Sequence, residues 1–227
     1  MLRQCKHKNI LGLYDVYFFD KKLWIFTEYC GYGSLGKLLE DLERPLSQIQ
    51  IHYVVLEVLQ GLFYLHDQLK ICHNDIRANN ILITSNGDIK IANFMVWAKN
   101  NSKLAKKNYF FIKSPHWIAP ELARCKLSKE ELNENFKADI WSLGITCIEM
   151  ANLYPPNSAY SAEAVILEIS TASVSPSLKR SNLWSSNFID FVHKCLDLNW
   201  ETRPNAINLF NVRIFLFLHV NFFRKAF

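Results

Sequence analysis

The chain has 227 residues, half of them apolar and 21% charged, which allows a substantial buried core and excludes wholesale disorder. Its 26 Lys and Arg stand against 21 Asp and Glu, for a formal charge of +5 with no long block of one sign. A dedicated nucleic-acid binder needs a basic patch, so no nucleic-acid partner is expected. The six cysteines, at 5, 30, 72, 125, 147 and 195, form no CxxC pair and no zinc spacing. They read as reduced thiols of a cytoplasmic protein. The N-terminus MLRQCKHKN is polar and basic, unlike a secretory leader. No apolar run reaches the ~18–20 residues of a membrane span, so no membrane partner is expected.

In chain order, the aromatic-rich runs Leu11–Phe19 and Leu23–Tyr29 predict a hairpin turning at Asp20-Lys21-Lys22. Gly31, Gly33 and Ser34 break this pattern before a short helix at about Leu35–Leu42. Ser47 with Gln50 forms a capping-box signature after Pro45, and the apolar spacing that follows predicts a long buried helix over about 47–67. NILIT and DIKIA flank Ser85-Asn86-Gly87, a second hairpin. Helices are expected at about 139–152, 162–170, 186–196 and 204–219. A short β-rich head on a helical body is an α+β pattern.

His73-Asn74-Asp75-Ile76-Arg77-Ala78-Asn79-Asn80 carries the chemistry. An Asp, a cation two residues on and an Asn five residues on can converge in one loop. The Asp can take a hydroxyl proton, the cation can neutralise a phosphate oxygen, and the Asn carbonyl can ligate Mg²⁺. Phosphoryl transfer needs these roles, because its catalysis is mostly positioning and charge stabilisation. A polar loop with satisfied hydrogen bonds would carry the same residues.

Four motifs in order make the chain resemble the eukaryotic protein kinases. His73–Asn80 matches the catalytic loop, and Ala119-Pro120-Glu121 the end of the activation segment. Asp139-Ile140-Trp141-Ser142-Leu143-Gly144 looks like the start of the central buried helix, and Arg203 like the arginine that pairs with the A-P-E glutamate. The resemblance covers about residues 2 to 210. LWIFTEYCGYGSL, IAPE and Trp184-Ser185-Ser186 are most similar to the germinal-centre kinase group of serine/threonine kinases. It implies a kinase-like fold: an incomplete β-rich small lobe over residues 1–30, a helical lobe over 31–210, and an atypical apolar tail over 211–227. It also implies Thr27 as gatekeeper, Glu28–Cys30 as the hinge that binds adenine, and Leu82 beneath the base. Asp75, Arg77 and Ser114 would be catalytic, and Asn80 and Asn93 would take the metal positions. ATP and Mg²⁺ would be the cofactors of an active member. On physical grounds Glu121–Arg203 could be a purely structural buried ion pair, Asp139 a helix N-cap, and Trp141 core.

The sequence departs from the family at several points. His7-Lys8-Asn9-Ile10 looks like the stretch after helix C, so the Gly-rich loop, its partner lysine and the helix-C glutamate would lie before Met1. Asn93-Phe94-Met95 stands for D-F-G and removes a carboxylate from a hard-cation site. Asn74 replaces the arginine that reads activation-loop phosphate. The loop Lys106–Ser114 has lost the usual Ser, leaving Tyr109 as the nearest hydroxyl. Arg77 replaces a lysine, a planar fork in place of a point charge, and Lys113 replaces a glycine.

These departures favour a pseudokinase that acts as a binding or allosteric module, with protein substrates, partner kinases or scaffolds as its partners. Nucleotide binding is then expected to be weak or metal-independent. An active or weakly active serine/threonine kinase is the second expectation, and a non-functional fragment the third.

Overall fold

The computed structural model describes residues 5–93, 114–128 and 135–210. Strands β1 (Leu13–Phe19) and β2 (Lys22–Thr27) form an antiparallel ribbon, with Val16 opposite Ile25 and Tyr17 opposite Trp24. The turn is two residues long, Asp20 and Lys21, both left-handed at φ 48° and 58°. That backbone matches the twist of the strands, although neither residue is a glycine. Both faces of the ribbon carry exposed apolar side chains, from Phe18 at 75% to Val16 at 37%.

A second sheet has the order β3 (Gly33–Ser34), β4 (Ile81–Ile83), β5 (Ile89–Ile91). The Gly33–Ser34 break expected from sequence is thus also a short strand. Ser34 then caps helix α1 (Leu35–Leu42), its hydroxyl accepting the Lys37 N–H at 3.1 Å. The β4–β5 hairpin closes with Gly87 N–H donating to Thr84 O at 2.9 Å, and Gly87 supplies the left-handed residue at φ 82°.

Helix α2 (Gln48–Phe63) starts at the expected capping box. The Gln50 side chain accepts the Ser47 N–H at 3.0 Å, and the Ser47 hydroxyl accepts the Gln50 N–H at 3.4 Å. A π turn, Tyr64–Gln68, ends it. There follow α3 (Pro120–Ser128), α4 (Lys137–Asn152), α5 (Ala162–Thr171), α6 (Ser186–Cys195) and α7 (Ala206–Phe210). Helix α3 is not among the expected elements, since PELARCKLS has no apolar periodicity and its signal is the opening proline. The expected helix over 204–219 is present as α7, and its part beyond 210 lies outside the described residues. Among the described residues, no helix is long and apolar enough to cross a membrane.

Helices α2 and α4 form the centre, buried around nearly their whole circumference. Gly144 of α4 lets α6 approach, because a Cβ there would stand 2.8 Å from the Cys195 Cβ and the Leu196 side chain. Trp141 is core, as expected. Arg203 is completely buried and binds Glu121 through two bonds of 2.8 and 3.0 Å. It also donates to the carbonyls of Lys137 and Asp197 and lies 5.2 Å from the Trp141 ring. Every polar edge of the guanidinium therefore has a use. Breaking one side of such a pair strands a buried charge. Glu121→Ala is expected to lower the unfolding free energy by ~3–5 kcal/mol in urea titration.

Candidate functional site

The loop 73–80 enters between the π turn and β4, and one carboxylate fixes its path. Asp139, wholly buried in the first turn of α4, accepts the His73 N–H at 2.7 Å through Oδ2 and the Asn74 N–H at 2.7 Å through Oδ1. His66 Nε2 of the π turn lies 2.8 Å from Oδ2. Asp139 is therefore not an N-cap. Phe136 holds that position, and the carboxylate serves another segment. Burial alone would raise the Asp139 pKa, but the His66 side chain, with the His73 ring and the His73 N–H, holds it below the usual value.

The His73 ring locks the loop from the other side. Its Nδ1 accepts the Asp75 N–H at 3.2 Å and its Nε2 meets Ala92 O at 3.0 Å, an arrangement for the neutral ring. Burial lowers its pKa in the same sense.

Asp75, the expected proton acceptor, is buried and has both carboxylate oxygens engaged. Oδ1 accepts the Ser114 hydroxyl at 2.7 Å, and Oδ2 accepts the Asn80 amide at 2.6 Å. Arg77 Nε stands 3.2 Å from Oδ1 but out of line for a hydrogen bond, so it contributes charge rather than a directed bond. The guanidinium also lies 5.7 Å from the Trp117 ring. Below them, Glu149 Oε2 of α4 accepts both the Ala78 N–H and the Trp117 indole N–H, each at 3.1 Å. Burial pushes the Glu149 carboxyl up to about 7, against those two donors and Arg77. Sequence reasoning missed Glu149, because nothing local marks a carboxylate in an apolar helix as part of a distant loop.

Asn80 also donates to the Asp75 carbonyl at 2.7 Å. With its NH₂ group turned to Asp75, its oxygen faces Asn93, whose Nδ2 donates to it at 3.1 Å. The two expected metal positions are therefore joined to each other. A Mg²⁺ ion prefers carboxylate and phosphate oxygens. Here the two positions offer neutral amides and no carboxylate, and the Asn80 oxygen already accepts an N–H. The donor set does not fit the ion.

Asn74 and Asn93 are both left-handed, at φ 64° and 58°. Asn74 is exposed while its backbone is anchored to Asp139, so a longer cation there would have reached outward.

The hinge segment lies beside β4. Tyr32 N–H donates to Ile83 O at 3.1 Å, and Gly33 N–H donates to Cys30 O at 3.0 Å. Leu82 is half-buried on the face of β4 opposite Ile81 and Ile83. Glu28 and Cys30 are half-buried and Thr27 is exposed. Sequence and structure thus bring Glu28, Cys30 and Leu82 into one neighbourhood, and Asp75, Arg77, Asn80, Asn93 and Ser114 into another. Phe94, Met95 and Lys106–Lys113, with Tyr109, lie outside the described residues.

The protein kinase domain family matches residues 1–215, and the chain belongs to that family. It is 43% identical over 209 residues to serine/threonine-protein kinase 10 of Danio rerio and 41% identical to that of Homo sapiens. It is 42% identical over the same length to serine/threonine-protein kinase cst-1 of Caenorhabditis elegans. Each match covers 92% of this chain, but only 21% of the two kinase 10 proteins and 40% of cst-1. These relatives place it in the germinal-centre kinase-like branch, with the α+β fold of a serine/threonine kinase domain.

Glu149 gives a pH signature. A carboxyl raised from 4.5 to about 7 binds its proton more tightly in the folded state. Its contribution is fully present below pH 4.5 and is lost as pH rises through about 7. A glutamine at this position would keep one acceptor oxygen for both N–H groups. Glu149→Gln is therefore expected to match the parent near pH 4.5 and to exceed it by up to ~3 kcal/mol above pH 7. Thermal melts across that range check it, and an equal gain at every pH would contradict it.

Proposed function

We propose that this kinase domain is a cytoplasmic pseudokinase, a binding or allosteric module whose partners are kinases or scaffold proteins. The supporting observation is that residue 93 brings a neutral amide in place of a carboxylate, and its Nδ2 donates to the Asn80 oxygen at 3.1 Å. Asn74 supports the same reading, since an amide cannot pair with an activation-loop phosphate as an arginine does. The hinge and Leu82 remain suited to an adenine ring. The site would then take an adenine nucleotide weakly and without a metal.

ATP is expected to raise the melting temperature equally in EDTA and in Mg²⁺. Asn93→Asp supplies a carboxylate on a left-handed backbone that aspartate also adopts, and should make the ATP shift larger in Mg²⁺ than in EDTA. A metal-dependent shift in the parent protein would overturn this reading.

One contact favours the second reading, a weakly active serine/threonine kinase. The Ser114 hydroxyl rests on Asp75 at 2.7 Å, beside a cation, an arrangement that a proton-accepting carboxylate would need. Transfer of phosphate from ATP to a protein substrate, lost in Asp75→Ala, would establish it. The expected outcome is no transfer above the Asp75→Ala background.

A further inference from the structure

The ribbon β1–β2 has no described sheet or helix against either face, so its position must be set at its base. The chain enters along β5: Ile91 N–H donates to Asn9 O at 2.8 Å, and Leu11 N–H donates to Ile91 O at 2.9 Å. It returns at Glu28, whose N–H donates to Gly12 O at 2.8 Å. The Glu28 side chain closes the ring. Oε2 accepts the Gly12 N–H at 3.1 Å, and Oε1 binds Lys90 Nζ of β5 at 2.8 Å. The pair is largely withdrawn from water, with Lys90 13% and Glu28 26% exposed. Charge-assisted bonds in such surroundings are stronger and less screened than surface pairs.

The cation's position matters as much as its charge. Lys90 stands directly opposite Leu82 in the β4–β5 pair, and opposed residues share a sheet face. The ammonium therefore rises from the face that carries Leu82, and it grips the first residue of the hinge. Ile89 and Ile91, on either side, point into the core, so the strand bearing Lys90 is itself held firm.

We propose that Glu28 and Lys90 are positioning residues, whose ion pair clamps the hinge to β5 and sets the purine-binding geometry of the Glu28–Cys30 backbone over Leu82. The purine part rests on the nucleotide reading above; the clamp does not.

The test uses the full chain and the variants Lys90→Met and Lys90→Arg. Lys194→Met, in an exposed pair with Asp190 on α6, is the control. Two readouts are taken: amide hydrogen exchange by mass spectrometry, and affinity for ATP in EDTA and for adenosine. In Lys90→Met, exchange across residues 12–30 should rise about tenfold while α2 and α4 keep their protection. Affinity for ATP and for adenosine should fall by one common factor of about ten, because the loss is at the base end. Lys90→Arg should restore both, and Lys194→Met should change neither.

Unchanged exchange at 12–30, or a rise spread equally over α2 and α4, would overturn the clamp. Loss of ATP affinity with adenosine unaffected would overturn its purine role. If the parent binds neither ligand, the nucleotide reading fails, and the exchange data alone decide the clamp.

Discussion

Two adjacent backbone N–H groups, those of His73 and Asn74, point at the two oxygens of a single buried carboxylate. An irregular loop beneath a protein surface is costly unless its backbone groups find partners. Asp139 supplies them from inside the central helix, and His66 shares the same carboxylate. The loop is thereby tied at two adjacent residues to the helix that holds it. Asp75, Arg77 and Asn80 hang from that anchored path, and the hydrogen bonds to Ser114 and Asn93 follow from it.

The same α4 helix organises the rest of the body. Near its start Lys137 offers a carbonyl to Arg203, which reaches Glu121 at the start of α3. Near its end Glu149 holds Ala78 and Trp117 together. One buried helix thus spaces the catalytic loop, the substrate-side turn and the C-terminal segment. These contacts join protein groups to one another and involve the side chains of neither Asn74 nor Asn93. A scaffold held in this way does not depend on the side chains at 74 and 93, which is what the binding-module proposal requires.

Much of this was legible in the sequence, and unequally so. Helix α2 was readable because Ser47 and Gln50 cap it and its apolar residues recur at helical spacing. The Glu121–Arg203 pair followed from family motifs and was found as expected. Helix α3 was not readable, since it is held by tertiary contacts rather than by an apolar stripe. Asp139 at a helix start suggested a cap, because sequence cannot show that a carboxylate turns away from its own helix to serve residues 66 positions earlier. Glu149 and Lys90 were missed for a related reason: their partners are distant in the chain and their own neighbours are apolar. Asp75, Arg77, Asn80, Asn93 and Ser114 lie in one neighbourhood because short loops with local motifs fix their path, and Glu28, Cys30 and Leu82 lie in another, set by strand pairing.

The left-handed backbone at Asn74 and Asn93 bears on what a change of side chain at these positions costs. Asparagine is among the non-glycine residues that adopt this conformation most readily. Exchanging a functional side chain for asparagine at either position therefore imposes little or no folding penalty. A lineage can lose the charge without losing the protein, and stability gives selection nothing to act upon. Only a continuing demand for the chemistry itself could keep an aspartate or an arginine at these two places.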